Sequence, residues 1–341
     1  MKVRLAIVPT LAALCLAADS ERVHAQSNQC PPGALATDTQ RITQDACQLA
    51  VDLFHYMAPQ LGLAVTGGNA TLGQGGTLGG LGKILIGARA NVLRGSLPQV
   101  DDLTVSATGR VQRTGDNAIA TDDAILGLPT IDAAVGLFKG IPAGVTNVGG
   151  VDLLVSVGYM PNIDTDPLDV SVDSPFSFGF GARVGIMQES ILIPGVAFTI
   201  LQRRLPQSTV TGVTGTGDSL VVRDLDVKTT AWRIVASKSF LTFGLAAGIG
   251  QDDYRSSADI SATVHTPITG LPVRTGPTST EQSMKRNNMF LDLSLNILPA
   301  TRLLLEIGRV SGGDVTSFNE FSGSPPDAPR IYGALGLRIG L

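Results

Sequence analysis

Arg330–Leu341 reads R-I-Y-G-A-L-G-L-R-I-G-L. In an extended strand, successive side chains point to opposite faces. Ile331, Leu335, Leu337, Ile339 and Leu341 then share one face, and Tyr332, Ala334, Gly336, Arg338 and Gly340 share the other. One face suits an apolar medium, the other a polar one lined by small residues.

The same design recurs upstream in nine further segments. Lys83–Leu93 turns Ile84, Ile86, Ala88, Ala90 and Val92 outward, and Thr130–Gly140 turns out Ile131, Ala133, Val135 and Leu137. Gly150–Tyr159, Phe176–Met187 and Ile191–Leu201 follow, the last blurred by apolar residues on both faces and by Pro194, which has no N–H for a ladder. Thr229–Phe240, Leu241–Gly250, Asn288–Leu298 and Arg302–Val310 complete the set. Each has the length of a tilted spanning strand. Short links at Gln188–Ser190, Phe240, Pro299-Ala300 and Ile141–Val148 alternate with long polar ones at 94–129, 160–175, 202–228, 251–287 and 311–329. Ten strands is the minimum. Asp102–Val111, Ser219–Val227 and Ala258–His265 also have strand character, so hairpin extensions or a count of 12–14 stay open. A soluble sandwich alternates too, but its aliphatic faces would have to meet one another.

Composition agrees with distributed apolar surface. The chain has 341 residues, a formal net charge of −4 and 40 glycines without a collagen period. Mean hydropathy is +0.24, yet beyond the leader no run reaches the ~18 apolar residues of a spanning helix. The mild acidity leaves no footprint for nucleic acid.

Residues 1–25 read as a secretory signal: Lys2 and Arg4, an apolar run Leu5–Ala18, and a small-residue site at Val23-His24-Ala25. Cleavage would leave Cys30 and Cys47, which in an oxidising compartment most simply form a disulfide, the alternative being two separate buried thiols. Residues 26–82 form a second unit, a helix and a connector. Ile42, Ala46, Leu49, Ala50, Leu53, Phe54 and Met57 recur at helical spacing, with Asp38 or Thr39 as cap and Pro59 and Gly62 marking the end. About five turns result. This helix has three possible seats: the periplasmic mouth, the lumen as a plug, or the membrane surface. Gly67–Gly82 resembles a phosphate loop only superficially, since Thr77 and Ile84 break the Walker spacing. It reads as a connector leading into a barrel at 83–341.

The inward phase carries Arg89, Asp132, Asp152, Arg183, Arg233, Asp292, Glu306 and Arg338. Four acids against four bases point to cross-lumen ion pairs rather than a filter of one sign. Inward glycines such as Gly87, Gly136, Gly181 and Gly308 leave room for a plug or a small ligand. Catalysis finds little support. Beyond the signal only His55 and His265 remain, and His265 has Asp252, Asp253 and Ser256 as its nearest prospects in sequence. The acidic stretch with Asp164, Asp166, Asp169 and Asp173 lacks the spacing of a calcium loop. No enzyme, cofactor or metal is expected.

With its signal, its alternating segments and the ending Y-G-A-L-G-L-R-I-G-L, the sequence resembles bacterial outer-membrane β-barrel proteins over residues 83–341. It departs from them in ending on Leu341 rather than an aromatic, and in a thin aromatic girdle of one Trp and four Tyr. The resemblance implies an all-β, antiparallel up-and-down transmembrane barrel in a Gram-negative-type outer membrane. It further implies lipid and lipopolysaccharide as neighbours, and the barrel-assembly machinery reading the C-terminal strand. The helix and Gly-rich segment ahead of the first strand are similar in layout to fatty-acid-transporter barrels. The expected function is a passive channel for small solutes, apolar ones included. The alternative is a closed structural or adhesion barrel acting through its extracellular loops. An even number of strands puts both chain ends on the periplasmic side.

Overall fold

The computed structural model describes Cys30 and residues 37–165, 168–266 and 270–340. The signal segment, Asp166 and Leu341 lie outside the described residues. Ten strands close into an antiparallel ring: β1 (Ile84–Pro98), β2 (Thr121–Phe138), β3 (Val151–Tyr159), β4 (Phe176–Met187), β5 (Gly195–Arg204), β6 (Ser219–Ser239), β7 (Phe243–His265), β8 (Pro272–Leu298), β9 (Thr301–Ser311) and β10 (Arg330–Gly340). Each pairs with the next in sequence, and β10 closes on β1 with Leu85 opposite Gly340 and Leu93 opposite Tyr332. The terminal stretch is thus the seam of the ring, and closure leaves it no free edge.

Residues on the outer phase form an exposed apolar, largely aliphatic belt. Ile86, Ile131, Phe180, Ile249, Leu305, Ile331 and Leu335 belong to it, with Phe180 63% exposed and Leu335 56% exposed. The inner phase is buried and largely polar. An apolar outside around a polar inside is the pattern of a barrel in lipid. Arg94, Gln202, Gln251, Asn287 and Arg309 follow the last belt residues on their strands, marking the lipid boundary towards the long links.

The strands differ greatly in height. β3 has 9 residues, whereas β6, β7 and β8 have 21, 23 and 27. Spanning the lipid takes roughly 9–11 residues of tilted strand, so about half of β8 stands above it. Ser219–Val227 and Ala258–His265 extend these hairpins and add no spans. Asp102–Val111, also expected to favour strand, is irregular and folds over the helix. The fifth strand starts at Gly195 rather than Ile191. Residues 190–194 turn instead, with Ser190 N–H on the Ile193 carbonyl at 3.0 Å.

Helix α1 (Asp38–Thr66) has 29 residues, well beyond the expected five turns. Thr37, not Asp38 or Thr39, is the cap. Its hydroxyl accepts from Gln40 N–H, and the Gln40 side chain accepts from Thr37 N–H, both at 3.3 Å. Pro59 lies inside the helix because the barrel repairs the lost bond: the His55 carbonyl, which a residue-59 N–H would have served, accepts from Gln282 Nε2 at 3.2 Å. The helix ends at Gly67, φ +57°.

α1 stands inside the tall part of the barrel, packed against β1, β2, β5, β6, β7 and β8. Ile42, Ala46, Leu49, Ala50 and Phe54 meet Leu220, Val227, Ala258, Ile260 and Val264 in one core. Its first half touches the long links, through Asp45 to Ser106 and Arg113, while Gly340 bonds Ala300 at the short-turn rim. Among the described residues, α1 begins near the long links and β10 finishes at the short-turn rim. Residues 38–82 cross the lumen once, so the described residues make eleven crossings, ten of them strands. Cys30 and Cys47 form a disulfide with Cα atoms 5.8 Å apart.

Candidate functional site: the plugged lumen

Thr66 lies at the level of Tyr254 and Arg203, near the upper edge of the aliphatic belt. From there residues 67–82 descend through the lipid-depth lumen to the short-turn rim, where Thr77 meets Gln188 and Gly80 meets Gly136. This segment has no helix or ladder to satisfy its backbone. At membrane depth an unsatisfied peptide group costs several kcal/mol, and irregular backbone persists only where protein groups serve it.

The charged side chains serve it. Arginines and amides take its carbonyls: Arg203 on Thr66 (2.6 Å), Arg233 and Asn288 on Gly67 (both 3.2 Å), Arg89 on Asn69 (2.8 Å), Arg338 on Leu72 and Gln188 on Thr77 (2.8 Å). Carboxylates take its amides. Glu306 accepts from Gly68 (3.1 Å) and Asn69 (2.7 Å), Asp292 from Gly73 (2.8 Å), and Asp152 from Leu78 (3.1 Å). The walls of the lumen therefore act as a sleeve of donors and acceptors around a single irregular chain.

All eight residues picked from the inward phase are buried. The pairs among them run along the wall more than across it, because the plug occupies the centre. Arg89–Asp132 (2.8 Å) and Arg183–Asp152 (2.7 Å) link neighbouring strands, as does Arg233–Asp252 (2.5 Å). Arg203 reaches Asp132 at 3.0 Å from three strands away. Asp292 and Glu306 sit directly opposite each other on β8 and β9 and hold plug amides instead of an arginine. The reading from sequence missed Arg203, Asp252 and Arg302. Arg302 was within reach, since it shares phase with Glu306; Arg203 and Asp252 lie past the aliphatic runs used to set strand ends.

Glycine shapes the fit. Gly73 adopts φ +69°, a conformation that side-chain-bearing residues resist, and this turns its N–H towards Asp292. A Cβ on Gly75 would stand 2.6 Å from the Ser237 backbone nitrogen, so plug and wall touch there. The void left beside Gly87, between Ala70, Leu304 and Arg338, is about 10 Å³, at the lower limit for one water.

Above the belt, two long links close over α1. Asp45 binds Arg113 (2.8 Å) and the Ser106 and Val111 amides, and Asp52 binds the Phe318 and Asn319 amides (both 3.0 Å). Tyr56 stacks on Phe321 with centroids 4.0 Å apart, and Arg110 lies over Phe318. Burial pushes the Asp52 carboxyl up to about 6, against hydrogen bonds from Phe318, Asn319 and Gln48 that lower it. Burial alone pulls His55 down to about 4. His265 partners Asp218 at 3.2 Å on the exposed hairpin, not Asp252, Asp253 or Ser256. Asp164 faces Asp169 across a short hairpin in a long link.

No family model and no curated relative matches the sequence. Among solved structures, the chain is similar to the translocator domain of the autotransporter NalP from Neisseria meningitidis (10% identity, TM-score 0.38, 76% of this chain and 88% of that one). It is also similar to the transport unit of the autotransporter AIDA-I from Escherichia coli (10%, 0.37, 87% and 98%) and to the toluene transporter TodX from Pseudomonas putida (9%, 0.30, 80% and 97%). At such values the architecture has to be read from the chain's own geometry. A closed antiparallel ring, an aliphatic belt, and short turns at one rim facing long links at the other give this chain the fold of a bacterial outer-membrane β-barrel.

Proposed function

We propose that this protein is a closed outer-membrane barrel whose working surface is its external superstructure, with the lumen serving as an anchor rather than a path. The observation that carries this reading is the plug: its backbone is bound at every level of the lipid-depth lumen by side chains of the wall. Of the inward glycines, which suggested a passage for small solutes, Gly136 and Gly185 face Gly80 and Thr77 of the plug, while Gly248 and Gly308 make room for Phe290 and Tyr332 of the wall. The tall β6–β8 hairpins, α1 and the two pinned links then form a rigid platform outside the lipid, while lipopolysaccharide and inner-leaflet lipid surround the belt. The short-turn rim faces the periplasm in this reading, and the seam strand β10 meets the assembly machinery there. We assign no catalytic role: His55 is buried in the core, and His265 pairs with Asp218. Proteoliposomes of the full chain should show no flux of sugars, amino acids or small aromatic molecules. Rapid uptake of any of these with the plug intact would overturn the proposal.

A further inference from the structure

The short-turn rim holds a cavity of about 390 Å³ beneath the plug, whose lining includes Gln74, Thr77, Lys83, Glu189, Arg302 and Arg338. Arg302 and Arg338 are register partners on β9 and β10, both on the inner phase. Like charges placed directly opposite in a sheet repel, and at lipid depth Arg89, Arg183, Arg203 and Arg233 are each matched by a carboxylate. Here, among the described residues, neither arginine forms an ion pair, and Lys83 forms none. Arg338 is 5% exposed, gives one N–H to Leu72 O, and otherwise borders the cavity. Arg302 reaches only Ser239 Oγ, at 3.5 Å. Glu189, the carboxylate at this cavity, is occupied by Ser239 through its backbone N–H (2.6 Å) and its hydroxyl. Among the described residues, three cations against one acid leave a surplus of two positive charges around a polar space.

We propose that this cavity binds a phosphate-bearing anion between Arg302, Arg338 and Lys83. Two guanidinium forks and an ammonium match the planar, multidentate recognition that phosphate oxygens favour. A phosphate group of charge near −2 at neutral pH cancels the surplus. The site touches plug residues 73–78, so its occupancy stiffens the lower end of the plug. It does not depend on whether the barrel conducts. Two sources share this chemistry: free phosphate in the compartment below, or an anionic lipid headgroup at the rim.

The test is thermal unfolding of the full chain, first in micelles of a phosphate-free detergent. Inorganic phosphate is compared with chloride at equal ionic strength. The midpoint is then measured in nanodiscs of phosphatidylcholine with and without phosphatidylglycerol. A phosphate-specific rise in micelles identifies the free anion as ligand, and a rise only with phosphatidylglycerol identifies the headgroup. Arg302→Gln should match or exceed the unliganded wild-type midpoint, because the repulsion is gone, and should weaken the apparent affinity by roughly tenfold or more. Lys83→Gln, on an exposed side chain, should lower it to a smaller degree and guards against a folding defect in the first variant. Absence of any anion-specific rise in both media overturns the proposal, as does an equal rise in wild type and both variants.

Discussion

Arg183 and Asp152 illustrate what a single residue does in this lumen. They are register partners on β3 and β4, 2.7 Å apart and almost wholly excluded from solvent. Asp152 also takes the Leu78 amide, and Arg183 the Thr71 hydroxyl. Removing one partner strands the other without water. Arg183→Met should therefore cost on the order of 3–5 kcal/mol, whereas adding Asp152→Leu should recover a good part of it; equilibrium unfolding in detergent measures both. The pair was legible in the sequence because alternation against the belt fixes which residues point inward. Arg203 was not, because Ile191–Pro194 imitates the start of a strand and shifts attention from where β5 ends.

Asp52 and His55 set a pH signature on α1, beneath the two long links. Asp52 holds its proton more tightly folded than unfolded, so its contribution to stability falls as pH rises from 3.8 to about 6. His55 does the reverse: its folded value is depressed from 6.5 to about 4, so its contribution grows as pH rises through that window. In wild type the two oppose each other. Asp52→Asn should gain stability relative to wild type between pH 4 and 6, by on the order of 3 kcal/mol, and His55→Gln should lose a similar amount. Parallel pH profiles for all three proteins would show that neither group titrates as its burial implies.

The plug is two elements with different rules. α1 was visible from its 3.6-residue period, but its length was not, since Pro59 marks a helix end unless a distant donor serves His55 O. That donor, Gln282, is supplied by a strand more than two hundred residues away. The Gly-rich segment was the less legible part: low complexity reads as flexibility, and only the surrounding wall shows that its backbone is held down to Leu78. Gly75→Val should press a branched side chain into the Ser237 backbone, destabilise the barrel by about 1–3 kcal/mol or more, and loosen the plug. Limited proteolysis at 67–82 reports that loosening, and unchanged resistance would argue against close packing there.

For the whole molecule, class and a minimum of ten strands followed from alternation and link lengths, but closure at ten and the direction of the N-terminal segment did not. Counting strands gives an even number of crossings, and only the contacts of α1 reveal the eleventh. Asp38→Cys should consequently be labelled by a membrane-impermeant maleimide from outside intact cells, while Ala300→Cys at the short-turn rim should not. The opposite pattern would invert the barrel.

The central claim is that the wall's charges hold a plug that seals the lumen. Planar-bilayer recording on the full chain tests it most directly. The account predicts no steady conductance from the wild type, and the appearance of conductance when Arg233→Gln and Arg203→Gln together release the top of the plug from Thr66 O and Gly67 O. A reproducible ohmic conductance from the unmodified chain would contradict it.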